Sequence, residues 1–530
     1  MFYSGKKPFP AKSKTEVLTM RLENVPTIRD LLDIAPTKHN DRTFIKYIRD
    51  EKIVEKKFSE VRSDGLAVCR KLRHDIPERT HIAIISKSTY EYISCMTGVL
   101  TAGHVAVPLD PDSTAQDAAA IINDSDSTVL FYGEEFSDRI EEVRALCPAL
   151  RCEMVVNPEN FEKIYEEFSE NSEYAALSDK NMDPDACCLI IYTSGTTGDK
   201  KGVMLSSQAL VSNLIFEPYD PIVIRVDTIL SVLPLHHIFC FICGYIGPLN
   251  VGNCVCLNGE MKDLFKNFHI FKPNQIRVVP LIAQGILARI RAIQAKNPEL
   301  SPKEAAAMVT GGNLDMMLAG GAYLDPMLCK AFEQYGILLR QGYGMSETSA
   351  KVTLPDRDCP PESVGRIMST VDVRIKDSEI QINTPGLMMG YYKRPEDTAA
   401  AITEDGWLRT GDMGKIDDNR VLYITGRLKN LIILANGENV SPEGIENRIG
   451  CSRLVKEILV YAKNDAIFAE IYPDYELAEQ TGVTDIKKAL EDIVDKYNET
   501  AVPSHIVANF TVRETPFEKT SVGKIKRIQG

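Results

Sequence analysis

The chain has 530 residues, of which 44% are hydrophobic and 25% charged, and its formal net charge at pH 7 is −13. This composition is that of an ordinary globular protein and excludes a collagen-like chain, a disordered chain or a disulfide-stabilised miniprotein. General binding to nucleic acid or to an anionic membrane relies on positive charge. The negative balance therefore argues against both, while leaving room for a local cationic pocket that binds a small anion.

The sequence contains no predicted targeting signal or membrane span. Residues 1–14 carry several lysines but lack the apolar stretch of a signal peptide. Residues 228–259 contain no Asp, Glu, Lys or Arg, but Pro234, Pro248 and a Gly/Asn-rich stretch interrupt them. This pattern favours a buried strand–helix core over a membrane span. We therefore expect a cytoplasmic protein with no integral membrane segment.

Apolar strands alternate with amphipathic helices through most of the chain, a rhythm typical of α/β layers with much parallel sheet. The clearest βαβαβ stretch is predicted to contain strands at 81–85, 105–108 and 128–132 and helices at 90–101 and 115–123. Later strands are predicted at 222–235, 276–280 and 337–341.

From about Ser378 the pattern changes to short strands and turns, which predicts a β-rich subdomain. Strands at 458–461 and 468–471 and a helix at 486–497 then predict a terminal module of about 100 residues. The predicted fold class is α/β. It consists of a large N-terminal domain of layered α/β sheets plus the β-rich subdomain, at 1–425, and a small α+β C-terminal domain, at 426–530.

The strongest local signal follows the apolar run 188–192. There the chain continues as Thr193-Ser194-Gly195-Thr196-Thr197-Gly198 and then reaches Lys200 and Lys201. The two glycines let the backbone approach a ligand and turn N–H groups toward it, while the hydroxyls and ammonium groups supply further donors. This set of donors predicts a polyphosphate-binding loop, although its spacing is not that of a Walker A motif.

Five further motifs follow this loop. Together with it they resemble, in the same order, the motifs of the adenylate-forming superfamily, which contains AMP-binding acyl-CoA synthetases, luciferases and peptide-synthetase adenylation domains. The resemblance covers nearly the whole chain and is closest to bacterial long-chain fatty-acid CoA ligases. The five motifs are Gly320-Gly321-Ala322, Gln341-Gly342-Tyr343-Gly344-Met345-Ser346-Glu347-Thr348, residues 406–412, residues 426–430 and residues 521–525.

The resemblance implies a site for ATP and AMP. It implies that Glu347 and Thr196 hold magnesium, that Asp412 binds the ribose hydroxyls and that Arg427 contacts the sugar or a phosphate. The residues that it assigns to nucleotide binding are Thr193, Ser194, Gly195, Thr196, Thr197, Gly198, Lys201, Gly320, Gly321, Ala322, Gln341, Gly342, Tyr343, Gly344, Met345, Ser346, Thr348, Asp412 and Arg427. The residues that it assigns to catalysis are Lys524, Glu347, Thr193 and His237.

The implied reaction has two steps. A carboxylic acid is ionised at neutral pH and needs no general base, so the site must position it and neutralise charge at the α-phosphate of ATP. The acyl-adenylate forms with release of pyrophosphate, and the thiol of coenzyme A then attacks it and expels AMP. The resemblance also implies that the C-terminal domain is mobile and rotates about Lys429. Lys524 would face the site in the first step, and Gly437 would line the thiol tunnel.

The acid substrate is predicted from what the pocket segments lack. Residues 235–239 contain no acid, whereas amino-acid-activating relatives carry an aspartate there, and Gly344 stands where acetate-type synthetases carry a tryptophan. The uncharged stretches 239–243 and 281–287 favour a medium- or long-chain fatty acid or an aryl acid. Adjacent histidines on a strand point to opposite faces, which argues against a shared metal site for His236 and His237 and favours a core or pocket-lining role. The resemblance implies that His237 is the histidine that gates the acid pocket.

The leading interpretation is an AMP-forming acid–thiol ligase of fatty-acid metabolism that uses ATP, Mg²⁺ and coenzyme A. An alternative is an enzyme that loads an acyl or aryl acid onto the phosphopantetheine of a carrier protein, expected to be a separate chain. A third interpretation, a non-catalytic nucleotide binder, is disfavoured because Glu347, Asp412, Arg427 and Lys524 are all present. No nucleic-acid partner is expected.

Overall fold

Residues 25–212 fold into alternating strands and helices. The structure, a computed structural model, describes residues 25–179, 182–194, 200–212, 214, 227–435, 438–452, 454–518, 525 and 527. The elements up to residue 212 are α1 (Ile28–Lys38), β1 (Thr43–Arg49), β2 (Lys52–Lys57), α2 (Phe58–Asp75), β3 (His81–Ile85), α3 (Tyr90–Ala102), β4 (Val105–Leu109), α4 (Ala115–Asp124), β5 (Ser127–Gly133), α5 (Ile140–Leu146), β6 (Cys152–Val156), α6 (Pro158–Glu167), β7 (Cys187–Ser194), β8 (Lys200–Ser206) and α7 (Ser207–Ser212).

From residue 227 the alternation continues and then gives way to antiparallel strands. The elements are β9 (Thr228–Ser231), α8 (Ile238–Phe241), a π-helical turn (Ile242–Ile246), α9 (Gly247–Val251), β10 (Cys254–Leu257), α10 (Leu264–Phe271), β11 (Gln275–Val278), α11 (Pro280–Lys296), α12 (Pro302–Thr310), β12 (Met316–Ala319), α13 (Pro326–Glu333), β13 (Leu338–Gln341), β14 (Thr353–Leu354), β15 (Arg366–Ile367), β16 (Asp372–Lys376), β17 (Glu379–Asn383), β18 (Gly390–Tyr391), α14 (Pro395–Ala401), β19 (Leu408–Ile416) and β20 (Leu422–Arg427).

The last part of the chain is a small α+β unit with an apolar core of its own. Its elements are β21 (Ile432–Ile433), β22 (Asn439–Val440), α15 (Pro442–Ile449), β23 (Val455–Lys463), β24 (Ala466–Pro473), α16 (Tyr475–Thr481), α17 (Ile486–Asn498) and β25 (Val507–Val512). Strand β24 pairs antiparallel with β23 and parallel with β25. The expected domain boundary between residues 425 and 426 stays a prediction, and β20 runs across it.

Two seven-stranded sheets, parallel over most of their width, form the large domain. Their strand orders are β18-β8-β7-β4-β3-β5-β6 and β13-β12-β11-β9-β10-β1-β2. In the first sheet only β8 runs opposite to the other strands, pairing antiparallel with both β18 and β7, and in the second the antiparallel strand is β2 at one edge. A four-stranded antiparallel sheet, β16-β17-β19-β20, forms the β-rich part. The α/β class and the layered architecture predicted from the sequence are thereby confirmed.

Two prolines end predicted strands early. The strand predicted at 222–235 is observed, within the described part of that range, only at Thr228–Ser231, and the chain turns at Pro234, whose carbonyl accepts from His237 N at 3.2 Å. The strand predicted at 276–280 stops at Val278 because Pro280 begins α11. Proline cannot donate to a sheet ladder but suits the first turn of a helix.

The uncharged window 228–259 forms two sheet strands and a broken helix. Strands β9 and β10 pair with each other in the second sheet, and α8 and α9 are joined by the π-helical turn. Cys240, Cys243 and Cys256 are buried free thiols. Nowhere in the described ranges is a helix both long and apolar enough to cross a membrane.

Helices α2 and α3 pack closely because two glycines face the contact. A Cβ on Gly98 would lie 2.4 Å from Val68 Cγ1, and a Cβ on Gly65 would lie 2.4 Å from Thr97 Cγ2. Both distances are far inside the ~3.5–4.0 Å at which carbon atoms make favourable contact. Val68 and Thr97 are fully buried.

We expect Gly98→Ala to lower the free energy of unfolding by about 1–3 kcal/mol, the usual cost of overpacking a filled core. Gly285→Ala, in α11, is the matched control because nothing lies within 4 Å of its Cβ position. It is expected to leave stability unchanged or to raise it by up to ~1 kcal/mol through helix propensity. Urea-unfolding midpoints of the two variants check this, and equal midpoints would contradict the close-packing argument.

Candidate active site

The ends of β12 and β13 bring two of the predicted motifs together. Gly320–Ala322 follow β12, and Gly342–Thr348 follow β13, its parallel neighbour. Gln341 joins the two segments, since its Nε2 donates to the carbonyl of Ala322 at 2.7 Å and its Oε1 accepts from Leu324 N at 3.3 Å. The carboxyl edge of parallel strands is where open α/β sheets bind ligands.

Asp412 is a buried carboxylate held by two partners. Tyr343 Oη donates to its Oδ2 at 2.7 Å, and Arg427 Nε forms an ion pair with its Oδ1 at 2.8 Å. Arg427 faces Asp412 across the β19–β20 ladder, so their pairing is fixed by strand register. Burial, and next the negative charge of Asp412, raise the pKa of Tyr343 well above its usual value. Because each carboxylate oxygen has two acceptor sites, Asp412 retains capacity for further hydroxyl groups.

Glu347 lies nearby in a short 3₁₀ turn and is also buried. Tyr391 Oη donates to Glu347 Oε1 at 2.8 Å, and the backbone carbonyl of Glu347 accepts from Met388 N at 2.8 Å. Burial and then the charge of Glu347 raise the pKa of Tyr391, which therefore stays a neutral hydroxyl donor. The carboxylate is thus held in one orientation.

Lys201 connects the predicted phosphate loop to the same tyrosine. It lies opposite Thr193 in the β7–β8 ladder, and its ammonium pairs with Asp397 and stands 5.4 Å from the centre of the Tyr391 ring. Strand β18 pairs with β8 and so places Tyr391 beside Val203. The basic end of the loop and the carboxylate of Glu347 consequently share one organising side chain.

The glycines of the two motifs are required by close packing. A Cβ on Gly344 would lie 1.9 Å from the carbonyl oxygen of Ala350, and one on Gly320 would lie 2.8 Å from Cζ of Phe239. A side chain at position 344 would therefore collide with backbone in this conformation. The turn itself therefore requires glycine at position 344. This reason is separate from the larger pocket that the sequence suggests.

The two histidines differ from the expectation of opposite faces. They precede α8 and lie outside any strand, and their ring centres are 4.3 Å apart. His237 is exposed at the N-cap of α8, whereas His236 is 7% exposed and neither of its ring nitrogens has a hydrogen-bond partner among the described residues. Burial lowers the pKa of His236 to about 3, so this ring is neutral at pH 7.

Several predicted residues lie outside the described part of the chain. These are Gly195, Thr196, Thr197, Gly198, Gly437 and Lys524, together with the side chain of Ser194. Lys429, the predicted hinge, is exposed in a 3₁₀ turn, Leu428–Asn430, directly after β20. Within the described residues, no group of three or more His, Cys, Asp or Glu is arranged to hold a metal ion.

Sequence reasoning missed Tyr391 and Asp397. Tyr391 lies 44 residues after Glu347, and Asp397 lies 196 residues after Lys201. The only local hint is the turn at Gly390, whose φ of +136° favours glycine and turns the chain into β18. Contacts between residues this far apart leave no periodic pattern in the sequence. Only the structure shows that β18 pairs with β8.

Comparison with known proteins identifies the family. A family model described as AMP-binding enzyme matches residues 32–392, and one described as AMP-binding enzyme C-terminal domain matches residues 429–529. The chain is 28% identical over 435 residues to a long-chain-fatty-acid–CoA ligase of Mycobacterium bovis, which covers 72% of this chain and 70% of that protein. It is 26% identical over 498 residues to indoleacetate–CoA ligase of Aromatoleum aromaticum, which covers 91% and 92%.

The fold has a close structural counterpart as well. It superposes on the adenylation domain of a carboxylate reductase from Mycobacterium chelonae with a TM-score of 0.77, at 21% identity, covering 97% of this chain and 90% of that one. The chain belongs to the AMP-binding enzyme family. It is an AMP-forming acid–thiol ligase, which confirms the predicted class and the predicted use of ATP, Mg²⁺ and coenzyme A.

Three buried histidines predict a fold that is sensitive to mild acid. Burial lowers the pKa of His39 and His104 to about 4 and that of His236 to about 3. In the unfolded chain the same groups titrate near ~6.5, so the unfolded state binds more protons once the pH drops below that value. Stability should be full above pH 6.5 and fall as the pH decreases toward 4. Urea-unfolding midpoints between pH 7 and 5 measure this decline.

The variant His236→Phe should show a shallower decline, because it removes one of the three groups without breaking a hydrogen bond of the described structure. His269→Gln, at an exposed position, is the control and should follow the wild type. An unchanged pH dependence in His236→Phe would refute the assignment of His236 as a buried neutral ring.

Proposed function

We propose that this ligase activates a medium- or long-chain fatty acid as its acyl-adenylate and transfers the acyl group to coenzyme A. The observation that carries the proposal is the contact between an uncharged helix and the polar site. Phe239, in the wholly uncharged segment Ile238–Ile246, packs against Gly320 at the carboxyl edge of β12. An apolar acyl chain would find an apolar wall there, directly beside the nucleotide side of the site.

In the first step a carboxylate oxygen of the acid attacks the α-phosphorus of ATP. A new P–O bond forms, the bond to the β-phosphate breaks and pyrophosphate leaves. Asp412 would accept hydrogen bonds from the ribose hydroxyls, with Arg427 beside it for the sugar or a phosphate. Lys201 and Lys524 would neutralise developing phosphate charge, which is the main need of a phosphoryl-type transfer.

The carboxylate of Glu347 fits the oxygen-ligand preference of magnesium, and Thr196 is the second proposed ligand. Bound there, the ion would neutralise charge on the polyphosphate. Tyr391 would hold the Glu347 carboxylate in the orientation required for binding.

In the second step the thiolate of coenzyme A attacks the carbonyl carbon of the acyl-adenylate. The C–O bond to AMP breaks, AMP leaves, and the thioester forms. Rotation of the C-terminal domain about Lys429 would withdraw Lys524 and bring Gly437 to line the thiol tunnel. The ring of His237, at the N-cap of α8, would stand beside the entering acid.

Pyrophosphate release across C2–C18 fatty acids and several benzoic and cinnamic acids, with and without coenzyme A, tests this function. We expect turnover that requires coenzyme A and peaks at a mid-to-long chain. Lys524→Ala should lower adenylate formation by about 10²–10³-fold, the typical cost of losing a transition-state charge contact, while nucleotide binding persists. Lys526→Ala is the matched control two residues away. A single burst that coenzyme A cannot extend would instead favour acyl transfer to a carrier protein.

The magnesium role of Glu347 makes a separate prediction. Tyr391→Phe removes the hydroxyl that orients this carboxylate, so the Mg²⁺ concentration for half-maximal pyrophosphate release should rise by about 10-fold, the usual cost of losing an outer partner of a metal ligand. Tyr392→Phe is the control, because the neighbouring hydroxyl donates to Asp126 at 2.8 Å, on the exposed surface. The same Mg²⁺ dependence in both variants would count against magnesium binding at Glu347.

A further inference from the structure

A small cavity lies directly beneath the segment that follows β13. It is lined by Cys243, Gly247, Pro248, Val251, Asn253, Arg277, Met316, Leu318, Lys351, Leu354 and Pro355. Leu318 and Pro355 approach to 3.8 and 3.9 Å from the position of a Cβ on Gly342. The cavity is therefore one layer of side chains away from the predicted nucleotide motif.

One helix face connects the candidate site to this cavity. Phe239 packs on Gly320 at the site, while Cys243 and Gly247, four and eight residues further on, line the cavity. Spacings of four keep side chains near one face of the helix, and eight residues rise by about 10 Å, because the π-helical turn Ile242–Ile246 rises less per residue than an α-helix. An acyl chain that starts at the adenylation site and follows this uncharged face would end at the cavity.

The cavity wall contains an arginine with an unsatisfied donor. Arg277, in β11, is 7% exposed, and its Nη1 donates to Gln275 Oε1 at 2.8 Å. Its Nε has no hydrogen-bond partner among the described residues. Gln275 in turn donates to the buried carboxylate of Asp227, whose negative charge also acts on Arg277. A buried guanidinium N–H without an acceptor is costly, and such groups usually mark a bound water or ligand.

The surroundings of Arg277 favour an anionic ligand. Lys351, 5% exposed, is a second cation in the wall, and its Nζ lies 3.6 Å from the position of a Cβ on Gly247. None of the eleven lining residues is acidic, and most of the others are apolar. The cavity has a volume of about 20 Å³, which is room for one water-sized oxygen, and the flexible side chains of Met316 and Lys351 form part of its wall.

We propose that this cavity receives the far end of the acid substrate and that Arg277 selects acids with a second carboxylate there, that is, α,ω-dicarboxylic acids. A terminal methyl group would leave Arg277 Nε without a partner, whereas a carboxylate accepts from it and takes a charge-assisted hydrogen bond. The inference rests on the proposed function, since it assumes that the acyl chain follows the helix face Phe239–Gly247.

The test compares saturated monocarboxylic and α,ω-dicarboxylic acids of equal length, from C6 to C16, by CoA-dependent pyrophosphate release. We expect the wild type to prefer the dicarboxylic acid at its best length by at least about 10-fold in kcat/KM, since sites with buried hydrogen-bonding groups reject substrates that lack the partner. Activity with monocarboxylic acids and none with dicarboxylic acids would overturn this inference and leave the proposed function standing. Activity with neither series would overturn both.

Variants locate the preference. Arg277→Met, of similar length but without donors, should lower the ratio of dicarboxylic to monocarboxylic kcat/KM by at least about 10-fold. Arg357→Met, on the exposed surface of the chain segment that follows Pro355, is the matched control and should keep the wild-type ratio. An unchanged ratio in Arg277→Met would mean that Arg277 binds only a structural water, which overturns the proposal. Should that variant fail to fold, the wild-type preference and Arg277→Lys, which keeps the charge but lacks Nε, decide the matter.

Discussion

The buried carboxylate of Asp412 is the group on which the geometry of this site depends. A buried ionised acid is stable only with partners, and here they come from two different parts of the chain: Arg427 from the adjacent strand β20, and Tyr343 from the segment after β13. This requirement ties the antiparallel sheet β16-β17-β19-β20 to the carboxyl edge of the second parallel sheet. It also places Lys429, the proposed hinge, two residues beyond a partner of the central carboxylate. Movement of the C-terminal domain would therefore begin next to the nucleotide site.

A second tyrosine performs a similar task on the phosphate side. Tyr391 donates to Glu347 and lies under the ammonium of Lys201, so one side chain touches both charges proposed to act on the polyphosphate. Both tyrosines have raised pKa values, chiefly through burial. They consequently remain neutral donors that orient carboxylates without adding charge. The carboxylates of Asp412 and Glu347 are thus each held by a neutral donor from the chain itself, and such preorganised polar groups are what electrostatic catalysis requires.

The segment proposed to line the acyl chain is uncharged and is not organised by buried carboxylates. The segment Ile238–Ile246 carries no charge, and it ends in a π-helical turn at which a Cβ on Gly247 would lie 2.8 Å from Ile242 O. Such turns are frequent at functional sites. Beyond it, Arg277 and Lys351 introduce positive charge into an otherwise apolar region. In the proposed binding mode, a wall that is apolar along its length and cationic at its end would discriminate between acids by their far terminus, which the length of the apolar run does not reveal.

The sequence by itself determined the class of fold, the order of the motifs and the type of chemistry. Strand β3 was predicted at its observed bounds, because a run of buried apolar residues flanked by turn residues is a local property. The phosphate loop was predicted from the same kind of local signal, glycines and hydrogen-bond donors within a few positions, and it stays a prediction because residues 195–199 lie outside the described part of the chain. The strand predicted at 222–235 was too long because apolar composition does not distinguish a strand from the turn and helix that follow Pro234.

Only the tertiary structure decided which side chains meet. Tyr343 with Asp412, Tyr391 with Glu347, and Arg277 with the cavity are all contacts between segments far apart in the chain. Such contacts follow from the packing of whole sheets, and no local pattern of residues encodes them. Arg277 is the clearest case. In the sequence it is one arginine among many, and its Nε donor becomes costly to leave without a partner only because the fold buries it.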